Sequence, residues 1–331
     1  LTTYLDKNAI KVIQGGPDVG HELLQCKWDK IFFTGGERVG RAVMEAAAKH
    51  LTPVILELGG KCPAIVDSLS SSWDRRAAVN RIVGSKFGSC AGQACICVDY
   101  VLVEKRFASS LVEPMRGEVS AIFGENPRLS NSIARIVNKK HFMRLKGLLE
   151  DAAVQSSIIH GGSMDEENLF IEPTILLDPP LDAAIMAEEI FGPLLPVITV
   201  EKIEDSIDFI NSKKKPLAIY AFTNKESLKR KIASETTSGS LVFNDVMIQY
   251  AAEGLPFGGV GESGFGCYHG KYSFQAFSHY KGVTRRSMWV GFWFRFPPWN
   301  IYKLLLLEAC FNSDYFAILL IVLGLKTRRN K

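Results

Sequence analysis

Three thiols fall within eight residues: Cys90, Cys95 and Cys97, the last two in the stretch AGQACICVDY (91–100). Cys-x-Cys is a poor zinc spacing, because ligand pairs usually stand two to four residues apart and a second pair is needed. No metal is expected. A redox pair more often reads Cys-x-x-Cys. What remains is a nucleophile or plain core, since a single cysteine commonly behaves as a small buried apolar residue. Cys97 opens the apolar run CVDYVLV and reads as core. Cys95 follows GQA, which suits an exposed tight turn. Backbone N–H groups of such a turn favour a thiolate and can hold an oxyanion.

Two carboxylates and one glycine turn stand in comparable positions. Glu57 ends the apolar run VILE just before Gly59 and Gly60. A carboxylate there is either paired or raised in pKa and used as a general base. Glu189, in EEIFGP, precedes Phe191, Gly192 and Pro193. Acid, aromatic ring and tight turn suit a ribose hydroxyl and a flat ring, or simply the stopped end of a helix. In FFTGGERVGR the run to Thr34 ends in Gly35 and Gly36, with Val39 and Gly40 following. A strand, two glycines and a helix start present N–H groups to an anion such as a pyrophosphate, or make a tight βα turn. The spacing is not the G-x-G-x-x-G fingerprint.

These residues need elements to hold them. Apolar β runs (DKIFFTGG, TPVILELGG, PAIVD, DYVLVEK, PTILLD, LLPVITV, LAIYAFT, GSLVFND) alternate with helical patterns along most of the chain. Such alternation predicts α/β architecture with parallel sheets covered on both faces. NSIARIVNKKHFMRLKGLLEDA reads as one long amphipathic helix, and the opening LTTYLDKNAIKVIQGG as a helix end followed by a strand. A switch between layers is expected at ELGGKCP. Beyond LPFGGVGESGFG the alternation stops, and YSFQAFSHYKGVTRR reads as an edge or bridging strand.

The 331 residues suffice for one large or two ordinary domains. The net charge of +4 is small for that length and the basic residues are dispersed among acids, so no nucleic-acid footprint is read. Seven irregularly spaced cysteines fit a reduced, intracellular compartment, in the cytoplasm or against an internal membrane. The first residue is Leu1, and the chain is expected to begin partway through a larger protein. The C-terminal stretch is aromatic, then apolar, then basic (KTRRNK). Its last apolar run, 315–325, is about half of the ~20 residues a membrane-spanning helix needs. It reads either as a membrane-surface anchor or as a helix packed on protein.

In this order, FTGG, LELGGK, GQAC, EEIFGP and LPFGGVGESG resemble the aldehyde dehydrogenase superfamily. GKCP, AGQACICVDYVLV, EPTILLD and PFGGVGESGFGCYHGKYSF are similar to its class 3 branch, which acts on fatty and aromatic aldehydes, and the wording is plant-like. The resemblance runs from Leu1 to about Arg286. It implies NAD(P)-dependent oxidation of medium- or long-chain or aromatic aldehydes to acids. Cys95 matches the nucleophile and Glu57 the general base. Thr34, Gly35, Gly36, Val39 and Gly40 match the turn under the cofactor phosphates, and Glu189 and Phe191 the nicotinamide-ribose contacts. Phe257, Gly258 and Gly259 match a loop over the substrate. The implied layout is 1–58 as the later part of the NAD-binding domain and 59–265 as the thiol domain. Residues 266–290 match a bridging or oligomerisation strand, and 291–331 form an apolar tail. A homodimer of the intact protein is implied.

Two departures from the family pattern stand out. The family's second oxyanion donor, an Asn, and its adenosine-ribose Lys have no counterpart in this sequence, which places them upstream of Leu1. Losing one oxyanion donor typically costs ~10²–10³ in rate. The alternative to a dehydrogenase is therefore a partial chain limited to oligomer or membrane association, or to residual thiol-esterase activity. The second departure is Glu37, an acid at a helix start expected to face phosphate, where it opposes an anion.

Overall fold

The computed structural model describes residues 3–88, 90–289 and 291–326. Twelve strands form among them: β1 (Ile31–Thr34), β2 (Val54–Glu57), β3 (Pro63–Val66), β4 (Tyr100–Glu104), β5 (Ile158–His160), β6 (Met164–Asp165), β7 (Phe170–Ile171), β8 (Thr174–Leu177), β9 (Leu194–Val200), β10 (Ala218–Phe222), β11 (Ser240–Phe243) and β12 (Gly264–Phe265). They build a three-stranded sheet in the order β1-β2-β12 and a seven-stranded sheet in the order β11-β10-β3-β4-β9-β8-β5. Strands β6 and β7 pair by themselves.

The large sheet is parallel except for its edge strand β5. Its strands are apolar at consecutive positions because both faces are covered. On β3, Ala64 and Val66 enter one core while Ile65 enters the other. On β10, Ala218, Tyr220 and Phe222 face the first core, and Ile219 and Ala221 the second. A strand buried on both faces has no polar side to show, so its sequence loses the usual alternation. The helices Ser72–Val83 and Ala108–Phe123 supply Ile82, Val83, Leu111 and Met115 to the first core.

The small sheet carries the glycine turn. Strand β1 runs parallel to β2, with Thr34 opposite Glu57. The helix Glu37–Ala48 follows Gly36 and lies on β2, where Gly40 is pressed against the Leu58 and Leu56 side chains. The chain then leaves β2 and reaches β3, in the other sheet, within the short segment 58–62.

Three segments differ from the sequence reading. The helix expected across 131–152 begins only at Lys139 and runs to Glu150. Ahead of it, the Ile136 N–H donates to the Leu169 carbonyl and the Val137 N–H to Gln93 Oε1, so that backbone is already committed elsewhere. Asn138 then caps the helix by accepting from the His141 N–H at 2.9 Å. The opening stretch, residues 3–16, forms turns and extended chain but no strand, for no ladder partner lies beside it. The stretch read as a bridging strand, 266–290, instead contains the helix Lys271–Ala276. An unaccompanied strand leaves its N–H and C=O groups unmet, whereas the helix satisfies them locally.

The chain divides into two units, Leu1–Ser278 and His279–Lys331. Within the second, the helices Ile301–Phe311 and Tyr315–Val322 pack together through Leu306, Ala309, Ala317 and Ile321. Asn300 and Asp314 cap them. Much of the apolar surface of this pair stays exposed, including Phe311, Phe316 and Leu319. No helix among the described residues is long and apolar enough to cross a membrane. The basic close of the tail, from 327 onward, lies outside the described residues.

Candidate active site

Glu57 ends β2 at the middle of the small sheet. Its carbonyl accepts from the Gly35 N–H at 3.1 Å, and Gly264 of β12 pairs with it on the other side. Gly264 has φ +119°, and a β-carbon there would lie 1.9 Å from the Leu56 carbonyl oxygen. Only glycine lets β12 come this close. The Glu57 side chain is 3% exposed and its Oε1 meets no hydrogen-bond partner. Burial without a counter-charge pushes its carboxyl up to about 7.

Cys95 sits in the turn ahead of β4, where the Cys97 N–H donates to the Ala94 carbonyl at 2.9 Å. The backbone N–H groups of Cys95 and Ile96 face its sulfur. Burial, with the Glu189 and Glu57 carboxylates nearby, nevertheless raises its thiol to about 11. Such a thiol is protonated at neutral pH and needs a base to become a nucleophile. Cys97 is buried, with its S–H directed at the Ser85 carbonyl at 3.7 Å. Cys90 is partly buried, and burial raises its thiol too.

Glu189 lies on the loop before β9. Its carboxyl is enclosed over Gly59, in the crossing between the two sheets, and accepts from the Gly60 N–H. Burial, then the Asp99 charge, raise it to about 8, while Lys61 and Lys86 pull it down. The backbone around it is clamped. Lys61 Nζ donates to the Ile185 and Glu188 carbonyls at 2.7 and 3.0 Å and meets Asp99 Oδ2 at 2.5 Å. The other Asp99 oxygen accepts from the Ile190 N–H at 2.9 Å. Arg144 donates to the Glu189 carbonyl at 3.3 Å and also to that of Ile190. Phe191, next in line, holds φ +52°, a conformation costly for a bulky residue unless its surroundings impose it.

Thr34, Gly35 and Gly36 are exposed at the end of β1, beside Glu57. Gly36 starts the helix without a side-chain cap and has open space where a β-carbon would stand. An uncapped helix start with room above it fits a phosphate. Val39 is 45% exposed on the same turn, whereas Gly40 is buried against the sheet. Glu37 does not stand as a free acid: Lys214 Nζ and Arg41 Nη2 each hold its carboxylate at 2.6 Å and keep it below its ordinary range. The anion repulsion expected there is therefore matched by two cations.

Phe257 is buried, and it exchanges N–H···O bonds of 2.9 Å with Tyr268 in both directions. Its ring stacks on His269 at 5.1 Å, and Tyr250 meets it edge-on at 5.6 Å. Gly258 lies against the Gly266 carbonyl and Gly259 against that of Ser263. Burial, then the nearby Glu57, Tyr250 and Cys95, raise the Tyr268 phenol to about 12. The aromatic group therefore adjoins the thiol and the acid.

Cys95, Glu57 and Glu189 thus converge from three different elements, and Phe257 reaches them through Tyr268. The sequence reading missed Lys61, Asp99, Arg144, Tyr250, Tyr268 and His269. Lys61 carried a signal, being the one charge inside the apolar crossing LGGKCP. The aromatic residues stood close to the glycine loop in sequence, but nothing in their spacing tied them to Cys95.

The model of the aldehyde dehydrogenase family matches residues 2–283. The chain is 59% identical over 326 residues to aldehyde dehydrogenase family 3 member F1 of Arabidopsis thaliana, covering 98% of this chain and 67% of that protein. The substrate-bound state of Staphylococcus aureus AldH superposes with a TM-score of 0.85 at 39% identity, covering 94% of this chain and 66% of that one. A Mycobacterium tuberculosis aldehyde dehydrogenase complexed with NAD+ gives 0.71 at 30% identity, over 80% of this chain and 55% of that one. The chain thus spans about two thirds, or less, of the length of these relatives.

Proposed function

The chain belongs to the aldehyde dehydrogenase family, and on that premise we propose that it carries the thiol half of an NAD- or NADP-dependent oxidation of aldehydes to carboxylic acids. The observation that carries this reading is the convergence of Cys95, Glu57 and Glu189, with Glu57 buried and unpaired. The sheet change between Glu57 and Pro63 supports assigning 1–58 to the cofactor and 59–265 to the thiol chemistry.

The residues present fit a nicotinamide dinucleotide. Thr34, Gly35, Gly36 and Val39 would hold its phosphates at the uncapped helix start, and Glu189 with Phe191 would hold the nicotinamide ribose. When bound, the nicotinamide supplies the hydride acceptor. Cys95 adds to the aldehyde carbon, and the N–H groups that face its sulfur support the oxygen that becomes negative. The Cys95 proton must leave first, and the Glu57 carboxyl, poised near 7, is suited to take it. After oxidation the acyl group is a thioester on Cys95. Glu57, once it has released that first proton to solvent, removes a proton from water, which attacks the acyl carbon; as the Cys95–acyl bond breaks, the departing sulfur takes this proton back, freeing the acid and the thiol.

The aromatic group of Phe257, Tyr250, Tyr268 and His269 supports an aromatic or long apolar aldehyde as substrate. The exposed Phe274 and Phe277 support a homodimer of the intact protein. The exposed apolar helix pair in 301–322 supports contact with an intracellular membrane surface, which vesicle flotation tests. For the chemistry, the test is reduced-cofactor formation with benzaldehyde and hexanal as substrates. Cys95→Ala is expected to abolish it, and a Cys95→Ala protein that still oxidises either aldehyde would reject the reading.

A further inference from the structure

The turn that carries Cys95 is tied down from behind. The Cys95 carbonyl accepts from the Cys62 S–H at 3.4 Å, and the Ile96 carbonyl accepts from the Tyr220 hydroxyl at 2.5 Å. In front, the N–H groups of the same two residues face the Cys95 sulfur. Tyr220 stands on β10 with no exposed surface, and its hydroxyl oxygen accepts from Gln249 Nε2 at 2.9 Å and from the Met247 N–H. One donated and two accepted bonds exhaust what a phenol can make. The loop that supplies Gln249 is itself constrained, with Asn244 at φ +58° and Met247 at φ +61°. Asn adopts left-handed backbone readily, whereas at Met247 it is costly and persists where surrounding bonds impose it.

None of this is needed to bury a tyrosine. Phenylalanine would fill the same core space beside Ala64 and Val101 without a polar atom to satisfy. Instead a buried hydroxyl reaches across from another strand to the residue after the nucleophile. We infer that Tyr220, anchored by Gln249, is a positioning residue for Cys95: by holding the Ile96 carbonyl behind the turn, it keeps the Cys95 and Ile96 N–H groups aimed at the sulfur.

Gln249 also links this brace to the aromatic group. Its neighbour Tyr250 packs edge-on against both Phe257 and His269.

The inference rests on Cys95 being the reactive thiol, and its test reads that thiol directly. The full chain is alkylated with iodoacetamide across pH 7–11, where the rate below a thiol midpoint of about 11 follows the thiolate fraction, and fragment masses follow Cys90, Cys95 and Cys97 separately. In Tyr220→Phe, the Cys95 profile is expected to move up by about half to one pH unit, a three- to ten-fold lower rate at pH 8, of the order of one hydrogen bond. Gln249→Leu, which keeps the phenol, is expected to shift Cys95 the same way by less. The double variant is expected to do no more than Tyr220→Phe alone. Ile219→Val, on the opposite face of β10, lowers stability and leaves the Cys95 profile in place. A Tyr220→Phe profile superimposed on the unsubstituted one, with only thermal stability reduced, overturns the inference. So does an equal shift at Cys90 and Cys97, which would mark general loosening. If Tyr220→Phe does not fold, an unshifted Gln249→Leu profile overturns it alone. Aldehyde oxidation surviving in Cys95→Ala would instead reject the proposed function, whatever the alkylation result.

Discussion

Gly59 and Glu189 occupy one space: a β-carbon on Gly59 would lie 2.3 Å from Glu189 Oε2. The acid expected to meet the cofactor ribose can enter the site only because the crossing between the sheets has no side chain there. Gly59→Ala is expected to displace the Glu189 carboxylate and weaken NAD+ binding about ten-fold or more, an effect of roughly 1.4 kcal/mol. The Cys95 alkylation rate should change little. Titration with NAD+ by calorimetry checks this, and unchanged affinity would separate Glu189 from the cofactor.

Lys61 and Asp99 form a buried ion pair that secures the Glu188–Ile190 backbone from two sides. Removing one charge leaves the other buried alone, which typically costs about 3–5 kcal/mol. Lys61→Met and Asp99→Asn should each lower stability to urea by an amount of that order. The double variant should be less destabilised than the sum of the two, because neither charge is left unmatched. Additive losses would mean that the two groups act independently.

Glu57 gives a pH dependence whose sign is fixed by its environment. Burial raises its carboxyl from 4.5 to about 7, so the folded chain favours the protonated form. The stability contributed by that preference is fully present below the unfolded value of 4.5 and is lost as pH rises through about 7. Glu57→Gln should flatten this slope between pH 5 and 8, measured by thermal unfolding at fixed salt. In the catalytic reading the same variant slows deacylation, and the acyl-enzyme accumulates and is visible by mass. An undiminished deacylation rate would remove Glu57 from the role of base.

Cys97 provides the control for Cys95. Its thiol is 4% exposed, with its S–H directed at a backbone carbonyl, so it is not available to substrate. Cys97→Ala is expected to retain aldehyde oxidation and to cost about 1 kcal/mol of stability through lost packing. Equal loss of activity in Cys97→Ala and Cys95→Ala would undo the choice of nucleophile.

The parts of this site that were legible in the sequence are those coded by short stretches at strand ends. Cys95, Glu57 and Glu189 each sit beside glycines that mark a turn, and the strands that hold them read as apolar runs. The connections between them were not legible. Lys61 meets Asp99, Arg144 meets the Glu189 carbonyl, and Tyr220 meets the Ile96 carbonyl across long separations that no local pattern records. The missed helix start at Lys139 has the same origin, since Gln93 claims the preceding backbone from a distant turn. Within 266–290, the part at Lys271–Ala276 forms a helix where alternating polarity suggested a strand, because such alternation signals a strand only when another strand is there to pair with it.

The antiparallel pairing of Gly264 with Glu57 has a consequence for how the chain acquires its chemistry during synthesis. Glu57 is translated well before the strand that closes over it, which emerges near the end of the first unit. Until then the side of β2 that β12 covers is open, and the Glu57 carboxyl lacks that part of its burial. The loop closure needed to pair 57 with 264 is of the long-range kind that forms slowly. The burial of Glu57 is therefore completed by a late folding step, and ribosome-bound chains halted before Gly264 should show a Glu57 that titrates nearer the normal carboxylate range.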